Sequence, residues 1–244
     1  MKLFYYLIST FFIFSNFIYS QTHQVYGSFG YNFPTATAVI GSKVVNESLG
    51  LNLSTFSEGL VFQGGYLLGI NNNFSLDLNI NYLSGVKEEV YTSDNTNGDY
   101  FKYSNSNISI SPSLNVKFSV GKFSPYTKFG VSFNFIDIKK NIKTSVRIGE
   151  RQYEYKNDFT FGFVAGIGLN YDFYSNFIVF TECQLNSITF YPDEVRYTDT
   201  ETNTTVTLSA KEKINTNNSN ESITLVEDFP FSSIGVIIGF RIVL

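Results

Sequence analysis

Eight stretches of this chain alternate apolar and small or polar residues with a period of two, the pattern of a strand whose two faces meet different surroundings. The C-terminal stretch is the clearest. Ile234, Val236, Ile238, Phe240, Ile242 and Leu244 share one face, and Ser233, Gly235, Ile237, Gly239, Arg241 and Val243 share the other. At 159–172, Phe159, Phe161, Phe163, Ala165, Ile167, Leu169 and Tyr171 oppose Thr160, Gly162, Val164, Gly166, Gly168, Asn170 and Asp172. At 105–118, Ile108, Ile110, Pro112, Leu114, Val116 and Phe118 oppose Asn107, Ser109, Ser111, Ser113, Asn115 and Lys117. Pro112 cannot donate to a ladder, so a bulge or local break is expected there. At 74–83, Phe74, Leu76, Leu78, Ile80 and Tyr82 oppose Ser75, Asp77, Asn79 and Asn81. Segments 24–33, 58–70, 125–137 and 176–190 repeat the pattern less cleanly. Most stretches reach the ~9–11 residues that a tilted strand needs to cross hydrocarbon.

Connection lengths add a second constraint. Short links (71–73, 119–124, 172–175) alternate with long ones (34–57, 84–104, 139–157, 192–229), as in barrels with tight turns at one end and extended loops at the other. Both termini then fall at the short-turn end. The long links carry strand signals of their own. Val90-Tyr91 and Tyr100–Tyr103 flank Asn97-Gly98, a hairpin-turn dipeptide. Val146–Tyr155, with Gly149, half-alternates, and Thr198–Leu208 is rich in Thr and Val. These predict hairpins that prolong the barrel strands, whereas Asn215–Ser222 is polar and loop-like.

The two faces decide what surrounds the barrel. One is nearly pure Phe, Ile, Leu and Val; the other is mostly Gly, Ser and Asn, which suits a narrow interior. A soluble barrel would need a strongly solvated outer face. The expected fold is therefore all-β: an eight-stranded antiparallel up-and-down transmembrane β-barrel with extended external hairpin loops. Aromatics at 18% of the chain, with 26 Phe and 17 Tyr, agree with strands.

Met1-Lys2 followed by the apolar run Leu3–Phe17 looks like an export signal, with cleavage expected between Ser20 and Gln21. The expected organisation is a signal peptide at 1–20 and one barrel domain at 21–244. Loss of Lys2 takes the net charge from −4 to −5, which argues against nucleic acid as a partner. Cys183 is the only cysteine, so no internal disulfide can form.

The architecture and the final strand Gly239-Phe240-Arg241-Ile242-Val243-Leu244 resemble the small bacterial outer-membrane β-barrel families, among them the OmpA transmembrane domain, OmpX and PorT-type proteins. The resemblance covers essentially the whole mature chain. It implies residence in the cell outer membrane with periplasmic termini. It also implies outer-membrane lipid as the surroundings and the barrel assembly machinery as a partner during insertion. Family members usually end that strand in an aromatic residue; this chain ends in Leu244.

Catalytic signals are sparse. His23 is the only histidine and lies beside the expected cleavage point, without the orienting third group a hydrolytic His needs. Glu88-Glu89 and Glu227-Asp228 fall in loops, and Cys183 falls on the lipid face as an inert thiol. No cofactor or metal is expected. Five charges fall on the interior face: Asp77, Lys117, Lys128, Glu182 and Arg241. Asp77–Lys117 and Glu182–Arg241 come from adjacent strands and are the expected pairs. They suit either a structural network that fills the lumen or a gate or proton path. An eight-stranded interior is just wide enough for side chains, which argues against a porin-like channel.

Three functional classes remain. The first is a non-enzymatic envelope or surface-interaction protein, contacting an envelope protein or a surface glycan through its loops. The second is an accessory subunit of a secretion or assembly machine, like the PorT-type proteins. The third is a lipid-acting membrane-barrel enzyme. Residues 139–158 carry net +3 and residues 192–229 net −5. Opposite charge is expected to draw them together as a loose cap over the mouth; alternatively the basic loop faces an anionic partner.

Overall fold

The computed structural model describes residues 22–45, 48–91, 100–143, 150–199, 204–209 and 229–244. The expected export segment, Asn97-Gly98, Gly149, Asn215–Ser222 and Glu227-Asp228 lie outside these residues. No helix occurs among the described residues, which form fifteen strands. These are β1 (His23–Pro34), β2 (Ala38–Val45), β3 (Ser48–Ser54), β4 (Gly59–Gly69), β5 (Phe74–Gly85), β6 (Glu88–Tyr91), β7 (Tyr100–Lys117) and β8 (Phe123–Lys143). They continue as β9 (Glu150–Lys156), β10 (Thr160–Tyr174), β11 (Phe177–Phe190), β12 (Glu194–Asp199), β13 (Thr204–Ser209), β14 (Phe229–Pro230) and β15 (Ser233–Val243).

Eight of them close a barrel in the order β1-β4-β5-β7-β8-β10-β11-β15, with every neighbour antiparallel. Closure comes from β15, which pairs back onto β1 from Gln24↔Val243 to Pro34↔Ser233. Both faces follow the alternation in the sequence. In β5 the burial pattern alternates strictly from Phe74 to Leu83, and in β15 from Ser233 to Ile242. The outer face is a broad apolar belt. Phe29 (61% exposed), Ile80 (56%), Phe129 (64%), Ile167 (64%) and Val236 (54%) lie on five strands around it. Soluble monomers rarely expose contiguous apolar patches beyond a few hundred Å², so the belt requires hydrocarbon around it.

Tight turns close one end. Asn71 accepts backbone hydrogen bonds from Asn73 (2.9 Å) and Phe74 (2.8 Å) in the β4–β5 turn, an Asx-turn geometry. In the β7–β8 turn Gly121 takes a positive φ of 65°, which glycine adopts without steric cost. Pro112 interrupts the β7–β8 ladder between Ile110↔Phe133 and Ser113↔Gly130. The register on either side is the same, so this is a local break and not a bulge. The opposite side of Pro112 stays paired to Leu78.

At the other end the sheet outgrows the barrel. β8 runs for 21 residues and β7 for 18, well beyond the ~9–11 that span hydrocarbon. β6 adds to β7, and β9, β12 and β13 add beyond β8. The result is a six-stranded extension ordered β6-β7-β8-β9-β12-β13. A separate hairpin, β2–β3, occupies the first long connection. The expected hairpins at 84–104, 139–157 and 198–208 are thus present as paired strands.

Candidate functional site: a layered lumen beneath an external sheet

Inward-facing side chains sort by depth into three layers. At the long-loop end they are apolar. Val61, Leu83, Ile136, Ile138, Ile188 and Phe190 turn in from the barrel strands. Phe56, Phe229 and Phe231 insert from the connections, all at 2% exposure or less. Tyr155 of β9 and Val195 of β12 complete this plug from the external sheet, Tyr155 with its ring centroid 4.9 Å from that of Phe229. The sequence reading missed this layer. Its signal was a change of composition on the interior face, from Ser and Asn to aliphatic residues at the loop ends of β4, β5, β8 and β11.

The middle layer is amide-rich. Gln63 Nε2 donates to Gln184 Oε1 (3.1 Å), Gln184 Nε2 donates to Asn186 Oδ1 (2.8 Å), and Asn107 Nδ2 donates to Asn134 Oδ1 (3.1 Å). Buried amides are tolerable because each can both donate and accept.

Charges and tyrosines make the third layer, toward the short turns. Glu182 of β11 lies 2.6 Å from Lys128 Nζ of β8, both nearly inaccessible. That approach is off the hydrogen-bond direction and is an ion pair. The other Glu182 oxygen, Oε2, accepts from Tyr126 OH at 2.7 Å, and Lys128 Nζ also donates to Gln184 Oε1 at 3.1 Å. Asp77 accepts from Tyr26 OH (2.9 Å), whose oxygen in turn accepts from Asn79 Nδ2 (2.7 Å). Arg241 lies over the rings of Phe180 (4.4 Å), Tyr126 (4.8 Å) and Tyr26 (5.7 Å).

All five expected interior charges are on the lumen side, but the expected partners are not. Asp77 bonds Tyr26 and not Lys117; Lys117 sits half-buried at the short-turn mouth. Glu182 bonds Lys128 and not Arg241. The pairing crosses an intervening strand, because β10 separates β8 from β11 and presents Gly166 under the ion pair. A Cβ there would crowd the Glu182 carboxylate and the Lys128 stem. Gly168 makes the same room for the Tyr126 ring, and Gly65 for Tyr26. Interior glycines therefore set where the long side chains can lie.

Other candidates keep their sequence-level places. His23 at the barrel rim contacts the Tyr66 hydroxyl. Cys183 is free and on the outer face. Among the described residues no group of His, Cys, Asp or Glu could hold a metal ion.

The external sheet joins the two oppositely charged loops through a backbone ladder. Cross-strand partners include Glu194↔Lys156, Arg196↔Glu154 and Asp199↔Arg151. Lys139 lies 3.5 Å and Lys156 3.4 Å from Glu154. Exposed pairs of this kind contribute ~0–1 kcal/mol each. The expected loose cap held by charge is instead a paired sheet fastened by the buried aromatic plug.

In sequence the chain matches no curated protein. In structure it is similar to a major outer membrane protein of Thermus thermophilus. The two share 11% identity and a TM-score of 0.56, covering 93% of this chain and 100% of that one. Neisserial surface protein A is also similar, at 12% identity and a TM-score of 0.41, covering 92% of this chain and 97% of that one. The outer membrane protease OmpT of Escherichia coli is similar at 10% identity and a TM-score of 0.48, over 92% and 96%. A family model for the outer membrane protein β-barrel domain matches residues 6–222. The chain therefore belongs to that outer-membrane β-barrel family.

Proposed function

We propose that this protein is a non-enzymatic component of the outer membrane that serves envelope structure or surface contact through its external sheet. The observation that carries the reading is the six-stranded extension, which among the described residues is built at the long-loop end and rests on the plug that fills the lumen there. Substrate passage would need an open bore, and the plug fills it. In this reading Met1–Ser20 is removed on export. The barrel assembly machinery recognises β15, and both termini lie in the periplasm. The external strands then meet an envelope protein or a surface glycan.

Orientation and contact are tested together in a Cys183→Ser background. Thr205→Cys in β13 should react with a membrane-impermeant maleimide on intact cells, and Lys122→Cys only after the outer membrane is permeabilised. The reverse labelling would overturn the orientation. Replacing residues 194–209 by a short linker should abolish surface association while the barrel still inserts. Lipid hydrolysis by the purified barrel would instead favour an enzyme. Co-purification of a stable multiprotein complex would favour a secretion-machine subunit.

A further inference from the structure

At the short-turn end, opposite the plug, the lumen opens into a cavity of about 520 Å³. Four buried side chains that line it leave polar atoms without a partner: Arg241 Nε, Asn115 Nδ2, Gln24 Oε1 and Asn170 Oδ1. Each of the four is at most 4% exposed. Buried polar groups are paired in the great majority of cases, with protein or with water, so these four atoms around one cavity are free to bond whatever fills it. Arg241 is the most telling. Its guanidinium is held among three aromatic rings, and it makes no ion pair with a carboxylate among the described residues.

Charge gives the occupant its sign. Lys117 and Lys122 line the same cavity with Arg241, against the single carboxylate of Asp172. Deeper in the lumen lie the buried Asp77, Glu182 and Lys128. Lys128 is engaged by Glu182, and Asp77 by Tyr26. Counting all these groups, the region retains one net positive charge. A guanidinium and ammonium groups together suit an oxyanion. The amides of Gln24 and Asn170 offer carbonyl oxygens that would accept from hydroxyl groups. Exposed Phe173 and Tyr174 supply an apolar rim.

We propose that this cavity binds a phosphate-bearing polyol, with the phosphate on Arg241, Asn115 and the two lysines and the hydroxyls on Gln24 and Asn170. The shared chemistry is that of a glycerol phosphate, whether free or as the headgroup of a phospholipid. Phosphorus-31 line broadening on the refolded mature chain from Gln21, in a phosphate-free detergent, tests it with three probes. These are inorganic phosphate, glycerol 3-phosphate and dioctanoyl phosphatidylglycerol.

Glycerol 3-phosphate or the lipid should bind saturably, and at least about five-fold more tightly than inorganic phosphate, since the hydroxyl contacts add to the oxyanion contacts. Binding of both polyol probes would indicate a soluble source, and of the lipid alone a headgroup. Arg241→Gln should weaken binding at least about ten-fold. Lys117→Gln with Lys122→Gln, one half-buried and one exposed position at the mouth outside the buried layer, should weaken it about three- to five-fold. Lys139→Gln in the external sheet should leave it unchanged. Absence of saturable binding by the folded wild type would overturn the proposal. So would equal affinity for inorganic phosphate, or binding that survives the lysine pair unchanged.

Discussion

Residue by residue, the lumen is organised by which side chains have room to cross it. Lys128 and Glu182 meet because Gly166 leaves space between their strands. Removing one partner of a buried ion pair is expected to cost ~3–5 kcal/mol. Glu182→Gln should destabilise the barrel by about that much, read as the urea midpoint in lipid vesicles. Combining it with Lys128→Met should recover part of the loss, whereas Glu182→Gln and Arg241→Gln, linked only through Tyr126, should couple more weakly. Strong coupling in the second pair would contradict the arrangement. Gly168→Val should also destabilise, by roughly 1–3 kcal/mol of overpacking against Tyr126, and Tyr126→Ala should relieve part of it. The face of every one of these residues was legible from period-two alternation. The partners were not, because strand adjacency alone cannot say that a lysine and a glutamate will reach across a glycine on a third strand.

The strands divide into a membrane part and an external part with different sources of stability. The external sheet is fastened by aromatic burial. Phe229 is 1% exposed and meets Phe56, Tyr155 and Phe190. Phe229→Ala should cost ~3–5 kcal/mol and should speed hydrogen exchange in β9 and β12 while leaving β4 and β5 protected. Charge adds a smaller, pH-dependent part. Partial burial pushes the Glu154 carboxyl up, but Lys139 and Lys156 outweigh it and hold the group below its ordinary value of 4.5. A depressed carboxylate pKa stabilises the fold above the ordinary value, and that contribution fades as pH falls through the depressed one. Protection of β9 should therefore decline below about pH 4.5, and Glu154→Gln should remove that part of the decline. The eight barrel strands and their alternating loop lengths could be seen in the chain. The plug was hidden because its residues come from strand ends and from connections such as Phe56 and Phe229. No local period links those positions.

On the scale of the whole molecule, a hydrocarbon-facing belt encloses a lumen that is apolar at one end, amide-rich in the middle and charged at the other. A barrel of eight strands has an interior that side chains fill or that holds one small ligand, and here side chains close the long-loop end. A charge on the belt should be costly where the same charge on a loop is not. Ile238→Arg is expected to destabilise by ~2–4 kcal/mol if it lies near the bilayer midplane, while Thr205→Arg in the external sheet should be close to neutral.

The inside–outside assignment can be read directly in β15. In a Cys183→Ser background, single nitroxide labels are placed at positions 234 to 238 of the protein folded into lipid vesicles, and their collision rates with oxygen and with a water-soluble relaxant are compared. Labels at 234, 236 and 238 should be accessible to oxygen and shielded from the aqueous reagent, whereas those at 235 and 237 should be immobile and shielded from both. Aqueous accessibility at 234, 236 and 238, or a profile without the period of two, would contradict a lipid-facing belt around a filled lumen.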